Sequence, residues 1–145
     1  MIGIFLDSET NGLNPHNHRI IDIAFRLIDL ESGDEIASFS SIVYQNDDIW
    51  EKSNPDSLAI NGFTREMAMQ GRREDDVAAD IKKIFEKHEI DRSNSVFICQ
   101  NPSFDRIFFS QLISPDLQEE LNWPYHWLDL ASMHWGRLMT SGTAL

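Results

Sequence analysis

The sequence has little cysteine, little positive charge and no long apolar run. Its one cysteine, Cys99, cannot form an internal disulfide, which excludes the small secreted scaffolds that depend on disulfides. Because Cys99 ends the apolar run 96–99, we expect a buried small side chain and not a reactive thiol. No apolar run approaches the ~20 residues that span a bilayer, and no basic segment precedes an apolar one at the N-terminus. We therefore expect no membrane partner, no signal peptide and a cytoplasmic location.

Positive charge is scarce, with 12 basic against 24 acidic residues and a net charge of −12. This balance argues against a protein that follows a long nucleic-acid backbone, because phosphate binding usually needs a basic surface. The argument weakens if a divalent metal neutralises several acids and the substrate is short. If nucleic acid is bound, the charge favours short or single-stranded substrates over long duplexes.

Length and composition favour an ordinary globular fold. The chain has 145 residues, of which 41% are hydrophobic, enough to bury a substantial core. We find no internal repeat, low-complexity tract or linker composition. The sequence therefore predicts one domain over residues 1–145.

Apolar periodicity predicts three strands, then helices, then a strand, a helix, a short strand and a last helix. The helix that opens at Asn101 should have Asn101 as its N-cap and Pro102 in its first turn. We expect its apolar face to contain Phe104, Ile107, Phe108 and Leu112. The predicted strands are 2–7, 19–29, 35–44, 95–99 and a short one near 127–128. The main predicted helices are 74–88, the one that opens at 101, and 130 to about 138.

Two acidic residues end the first predicted strand. Asp7 and Glu9 follow the apolar run 2–6, and because side chains along a strand alternate, both point to the same face. Two carboxylates on one face repel each other unless a cation lies between them. Hard oxygen ligands of this kind suit magnesium or manganese. A short pattern of this type also occurs as solvated surface charge, and that alternative stays open here.

A third acid, Asp105, lies in the first turn of the helix that opens at Asn101. On a helical wheel it falls at the edge of the apolar stripe, beside Phe104. We therefore expect it to face the junction between helix and sheet. The alternative is that Asp105 only complements the helix dipole, which favours negative charge at this end.

Taken together, these segments resemble the DEDD superfamily of DnaQ-like 3′–5′ exonucleases. Residues 7–13, Asp-Ser-Glu-Thr-Asn-Gly-Leu, resemble the first exonuclease motif, and residues 101–105, Asn-Pro-Ser-Phe-Asp, resemble the second. Residues 59–64 resemble the family's Ile-His-Gly-Ile-Thr segment, with Asn61 where histidine is common. Residues 19–24 and 127–130 also match family segments, so that the resemblance extends over about residues 2–138 in the family's order.

The resemblance implies an α/β fold of the RNase H-like type. That fold has a mixed five-stranded sheet, with three antiparallel strands first and helices on both faces. It also implies two Mg2+ or Mn2+ ions held by acids, in the arrangement that catalyses in-line displacement at phosphorus. By the resemblance, Asp7 would bridge both metals, Glu9 would bind the water-activating metal and Asp105 would serve the other.

The same resemblance places substrate residues beside the metals. Thr10, Asn11 and Leu13 would lie next to the terminal nucleotide, with the apolar side chain against a base. Asn101 and Phe104 would line the same cleft. The implied activity is a metal-dependent 3′–5′ exonuclease that releases nucleoside monophosphates from single-stranded DNA or RNA 3′ ends, or from short oligonucleotides.

The family's fourth acid has no match in this sequence. It usually lies in His-x-x-x-x-Asp or Tyr-x-x-x-Asp on a last helix, and no Asp or Glu follows Asp129. One explanation, which we favour, is that a C-terminal helix is missing, and an apolar patch should then be exposed. The others are an impaired relative that only binds nucleotide, nucleic acid or a protein partner, and a homodimer in which a second subunit supplies the helix.

Overall fold

A five-stranded mixed sheet forms the centre of the computed structural model, which describes residues 1–142. Its strand order is β3-β2-β1-β4-β5. The first three strands pair antiparallel, whereas β4 pairs parallel to β1 and β5 parallel to β4. This is the α/β arrangement expected from the sequence. The strands are β1 (Ile2–Thr10), β2 (Ile20–Asp29), β3 (Glu35–Ile42), β4 (Ser95–Cys99) and β5 (Trp127–Asp129).

The helices follow the predicted order, with short helices between β3 and the first long one. Several helices begin at an N-cap residue whose side chain accepts a backbone N–H, among them Asn54, Thr64, Ser114 and Asp129. None of the helices within residues 1–142 is long and apolar enough to cross a membrane. The helices are α1 (Asp47–Trp50), α2 (Pro55–Asn61), α3 (Arg65–Met69), α4 (Glu74–Lys87), α5 (Pro102–Leu112), α6 (Pro115–Glu120) and α7 (Leu130–Ser141).

One face of the sheet forms the main core. The period-2 pattern of β1 and β2 buries Ile4 opposite Leu27 and Leu6 opposite Phe25. Phe25 stacks on Phe39 of β3, with ring centroids 5.4 Å apart. The third strand ends at Ile42, two residues earlier than predicted, because Val43 leaves the ladder and forms an isolated bridge with Arg72.

Helices α4 and α5 contribute the other half of this core. Val77, Ile81 and Phe85 of α4 are fully buried, as their helical spacing predicts. On α5 the prediction of Ile107 in the apolar face is wrong, because this side chain is 51% exposed. The buried stripe instead contains Phe109, one step further around the helix. The buried side of α5 is therefore rotated, relative to the prediction, toward the side that carries Asp105.

The opposite face of the sheet, which carries Asp7, is partly open. A groove of about 600 Å3 lies over it and is lined by Phe5, Asp7, Ala24, Ile98 and Leu130, among others. The helix α7 leaves β5 beside this groove and has no buried residue. Four apolar side chains of α7 are exposed: Leu130, Met133, Trp135 and Met139.

The buried Cys99 gives a test of this packing. Desolvation is the main reason why the pKa of its thiol is raised to about 12, with the nearby Asp105 charge adding to it. We treat the native protein and the guanidinium-unfolded protein with iodoacetamide at pH 8. In the time in which Cys99 of the unfolded protein is fully alkylated, we expect no alkylation of the native protein. Mass spectrometry measures both. Equal rates in the two states would contradict the placement of Cys99 in the core.

Candidate active site

The C-terminal end of β1 gathers carboxylates from two neighbouring strands. Asp7 and Glu9 lie on the same face, as the alternation predicts, with Asp7 exposed and Glu9 half-buried. In the antiparallel ladder Glu9 lies opposite Asp22 of β2, whereas Asp7 lies opposite Ala24. The small Ala24 side chain lines the groove next to Asp7. Three carboxylates therefore share one edge of the sheet.

Asp105 reaches this edge from α5. Its carboxylate is 3% exposed, and its Oδ1 accepts two hydrogen bonds from Ser8, one from the backbone N–H at 3.0 Å and one from the hydroxyl at 2.7 Å. Ser8 lies between Asp7 and Glu9 and points to the opposite face. The helix and the strand are thus joined at the position where the acids meet, which places Asp105 at the predicted helix–sheet junction.

The electrostatics of this edge are unfavourable for negative charge. Burial raises the pKa of Glu9, Asp22 and Asp105, and the charge of Asp7 raises each of them further. The Ser8 hydroxyl opposes this for Asp105 and lowers its pKa. The ion pairs found within residues 1–142 leave these four acids without a basic partner. A bound cation would offset the unfavourable energy of these ionised carboxylates.

The donor set fits a hard divalent cation in its chemistry. Asp7, Glu9 and Asp105 offer carboxylate oxygens, which magnesium and manganese prefer over nitrogen or sulfur. Within residues 1–142, however, no three His, Cys, Asp or Glu side chains are already gathered closely enough to hold a metal ion. The structure thus brings the acids to one edge of the sheet, and their side chains are not arranged as a closed coordination shell.

Two predicted substrate residues, Asn11 and Thr10, are buried. Asn11 is 0% exposed, and its amide donates to the Ile49 carbonyl and the Ser53 hydroxyl while its Oδ1 accepts from the backbone N–H of Arg19. Thr10 is 4% exposed, and its hydroxyl donates to a carbonyl in the following turn, that of Gly12. Both side chains hold the turn after β1 in place, and their contact with a nucleotide stays a prediction.

The other three predicted substrate residues remain accessible. Leu13 is 70% exposed at the tip of the turn after β1. Phe104 is half-buried and packs on Phe108, with ring centroids 4.8 Å apart. Asn101 is the N-cap of α5, as predicted, but in a left-handed conformation (φ 62°) and without a side-chain capping bond. Its Oδ1 accepts from the Ser103 hydroxyl instead.

Sequence reasoning missed two residues of this site. Asp22 is a polar residue in a strongly apolar strand. Because side chains alternate along β2, Asp22 points away from the face of Ile21 and Ile23 and toward the face of Glu9. Ser8 is the middle residue of the Asp-x-Glu pattern, whose opposite face must meet a covering helix. The alternation of β1 and β2 in the sequence shows which face Asp22 and Ser8 point to. Only the three-dimensional structure shows that their partners are Glu9 and Asp105.

The raised pKa of Asp105 predicts how stability changes with pH. Because the folded state binds this proton more tightly than the unfolded state, ionisation costs stability as pH rises from about 4, the ordinary carboxyl value, through the folded pKa. Asp105→Asn keeps an oxygen for Ser8 and removes the charge. We expect its melting temperature, relative to wild type in a chelator, to increase from pH 4 to pH 7. A difference independent of pH would contradict a costly buried charge.

Comparisons with known proteins match the chain to one family model and to solved structures of the same fold. The family model described as Exonuclease (RNase_T) matches residues 4–130. The structure of E. coli Exonuclease I in complex with a dT13 oligonucleotide has a TM-score of 0.76 at 20% identity and covers 93% of this chain. Exonuclease I from Methylocaldum szegediense has a TM-score of 0.71 at 24% identity and covers 94%. The zinc-bound form of the E. coli Exonuclease I–ssDNA complex has a TM-score of 0.72 at 20% identity and covers 93%.

These structural likenesses show the fold. The chain spans about 29% of the length of each of the three Exonuclease I chains. No curated protein matches the chain.

Proposed function

The chain belongs to the family of DnaQ-like exonucleases with the RNase H-like fold, and we propose that it hydrolyses phosphodiester bonds at nucleic-acid 3′ ends, in the 3′–5′ direction. The products are nucleoside monophosphates. The observation that carries the proposal is the meeting of Asp7, Glu9 and Asp105 at the end of β1, inside the matched family region. This is where the family resemblance predicts the metal-binding acids.

Asp7, Glu9 and Asp105 would hold two Mg2+ or Mn2+ ions. Such ions lower the pKa of an attacking water and stabilise the leaving oxygen when bound. Ser8 fixes the Asp105 carboxylate in one orientation through two hydrogen bonds to Oδ1. Asp7, the most exposed of the three, presents its carboxylate to the open groove.

We propose that the substrate is single-stranded DNA or RNA, or a short oligonucleotide. The net charge of −12 disfavours extended contact with a duplex backbone. The groove beside Asp7 has room for a nucleotide, and the exposed Leu13 offers an apolar surface against a base. In support, E. coli Exonuclease I has been solved with dT13 and with dA16 oligonucleotides.

The activity test uses a 5′-labelled single-stranded oligonucleotide with Mg2+ or Mn2+. We expect a ladder that shortens by one nucleotide at a time, abolished by chelation and reduced at least 100-fold in Asp7→Ala, because a metal ligand is lost. Glu31→Ala, an exposed acid that pairs with the N-terminus at the opposite end of β1, is the matched control and should keep wild-type activity. Release of the labelled 5′ nucleotide first would contradict the 3′–5′ direction.

The second candidate function is a binding module without turnover. It is favoured by the absence of any acid after Asp129 and by the lack of a gathered metal cluster within residues 1–142. Calorimetry with Mn2+ and a nucleoside monophosphate separates the two. Metal-dependent nucleotide binding without any ladder identifies the module, whereas binding together with turnover identifies the enzyme.

Three further expectations stay predictions. The first is a C-terminal helix that carries a fourth acid and completes the domain. The second is a homodimer, which sedimentation velocity tests: a species of twice 16.7 kDa supports the dimer. The third is a cytoplasmic location, which the single buried cysteine supports.

A further inference from the structure

The short helix α2 is attached at both ends to the last residues of β1. At its start, the Asn54 backbone N–H donates to the Asn11 carbonyl at 2.8 Å. At its end, the Asn61 side-chain Nδ2 donates to the Thr10 carbonyl at 3.0 Å. These two carbonyls directly follow Glu9. The helix therefore acts as a brace across the strand end that carries the carboxylate.

The Asn61 amide is held in one orientation. Its Oδ1 accepts from the Phe63 N–H at 3.1 Å, just past the left-handed Gly62 that ends the helix. With the oxygen fixed in this way, Nδ2 must face β1. An Asn amide has two N–H donors, and the Thr10 carbonyl uses one of them.

Burial and the charge of Asp7 raise the pKa of Glu9, and a hydrogen bond from the Asn61 side chain lowers it. The Asn61 amide is itself bound to the carbonyl of Thr10, the residue that follows Glu9. Glu9 is half-buried, faces Asp22 across the ladder and has no basic partner among the ion pairs of residues 1–142. A neutral N–H donor is thus the group placed to orient this carboxylate without competing with a cation for its charge.

We infer that Asn61 is a positioning residue, which holds the Glu9 carboxylate in its metal-binding orientation through the Thr10 carbonyl and its own second N–H. The inference rests on the proposed function, because it assumes that Glu9 binds a divalent cation. It adds to the site a residue that is not one of the acids. It predicts that position 61 needs an N–H donor. Glutamine, which carries the same amide oxygen and two N–H donors, should serve as a partial substitute.

Calorimetric titration with Mn2+ tests the inference without using activity. We expect Asn61→Leu to bind Mn2+ about tenfold more weakly than wild type, which corresponds to about 1.4 kcal/mol. Asn61→Gln should keep the affinity within about threefold of wild type. The matched control is Thr64→Ala, which removes the N-cap of the neighbouring helix α3. Its melting temperature should fall, since a cap is lost, while its Mn2+ affinity stays at the wild-type value.

The outcomes separate the two levels of proposal. If wild type does not bind Mn2+, the proposed function fails, and the role of Asn61 fails with it. If wild type binds and Asn61→Leu binds equally well, or if Thr64→Ala weakens binding as much, only the role of Asn61 is overturned.

A second measurement on the unmutated protein covers the case in which Asn61→Leu does not fold. We expect the Asn61 side-chain amide resonances to shift during a Mg2+ titration, with the same midpoint as the backbone amide of Glu9. Unchanged Asn61 resonances during a titration that shifts Glu9 would overturn the inference.

Discussion

The two hydrogen bonds from Ser8 to the buried Asp105 carboxylate hold this site together. They join the central strand of the sheet to α5, and they do so between the two acids of the Asp7–Glu9 pair. A buried carboxylate is costly, and no ion pair within residues 1–142 offsets it. The fold therefore bears a local electrostatic cost at the one edge where carboxylates converge, as is typical of functional sites.

The surroundings make that edge rigid. The buried Asn11 ties the turn after β1 to the segment that contains α1, and α2 braces the strand end from both of its own ends. Beneath it, Phe25 and Phe85 pack edge to face in the core between sheet and helix α4. Precise placement of the carboxylates by a rigid scaffold is what a metal-dependent nuclease requires. The groove on the Asp7 face leaves room for a substrate above the sheet.

Much of this could be predicted from the sequence because strand alternation is a strong local signal. The order of elements, the shared face of Asp7 and Glu9 and the junction position of Asp105 all follow from periods of 2 and 3.6 residues. Contacts between distant segments could not be predicted. The opposition of Glu9 and Asp22 depends on register, and Asn11 is buried only because the segment 46–54 folds over it. The error at Ile107 has a similar origin: Phe108 and Phe109 are both buried, and only the contact with the sheet decides between two rotations of the helix.

The most direct test of the metal site is paramagnetic broadening of backbone amide resonances by substoichiometric Mn2+, because it locates the ion without assuming any activity. A site formed by the predicted acids broadens the amides of residues 7–10 first, together with those of Asp22 and Asp105. Broadening centred instead on the acidic first turn of α4, at Glu74, Asp75 and Asp76, would contradict a metal site at the end of β1.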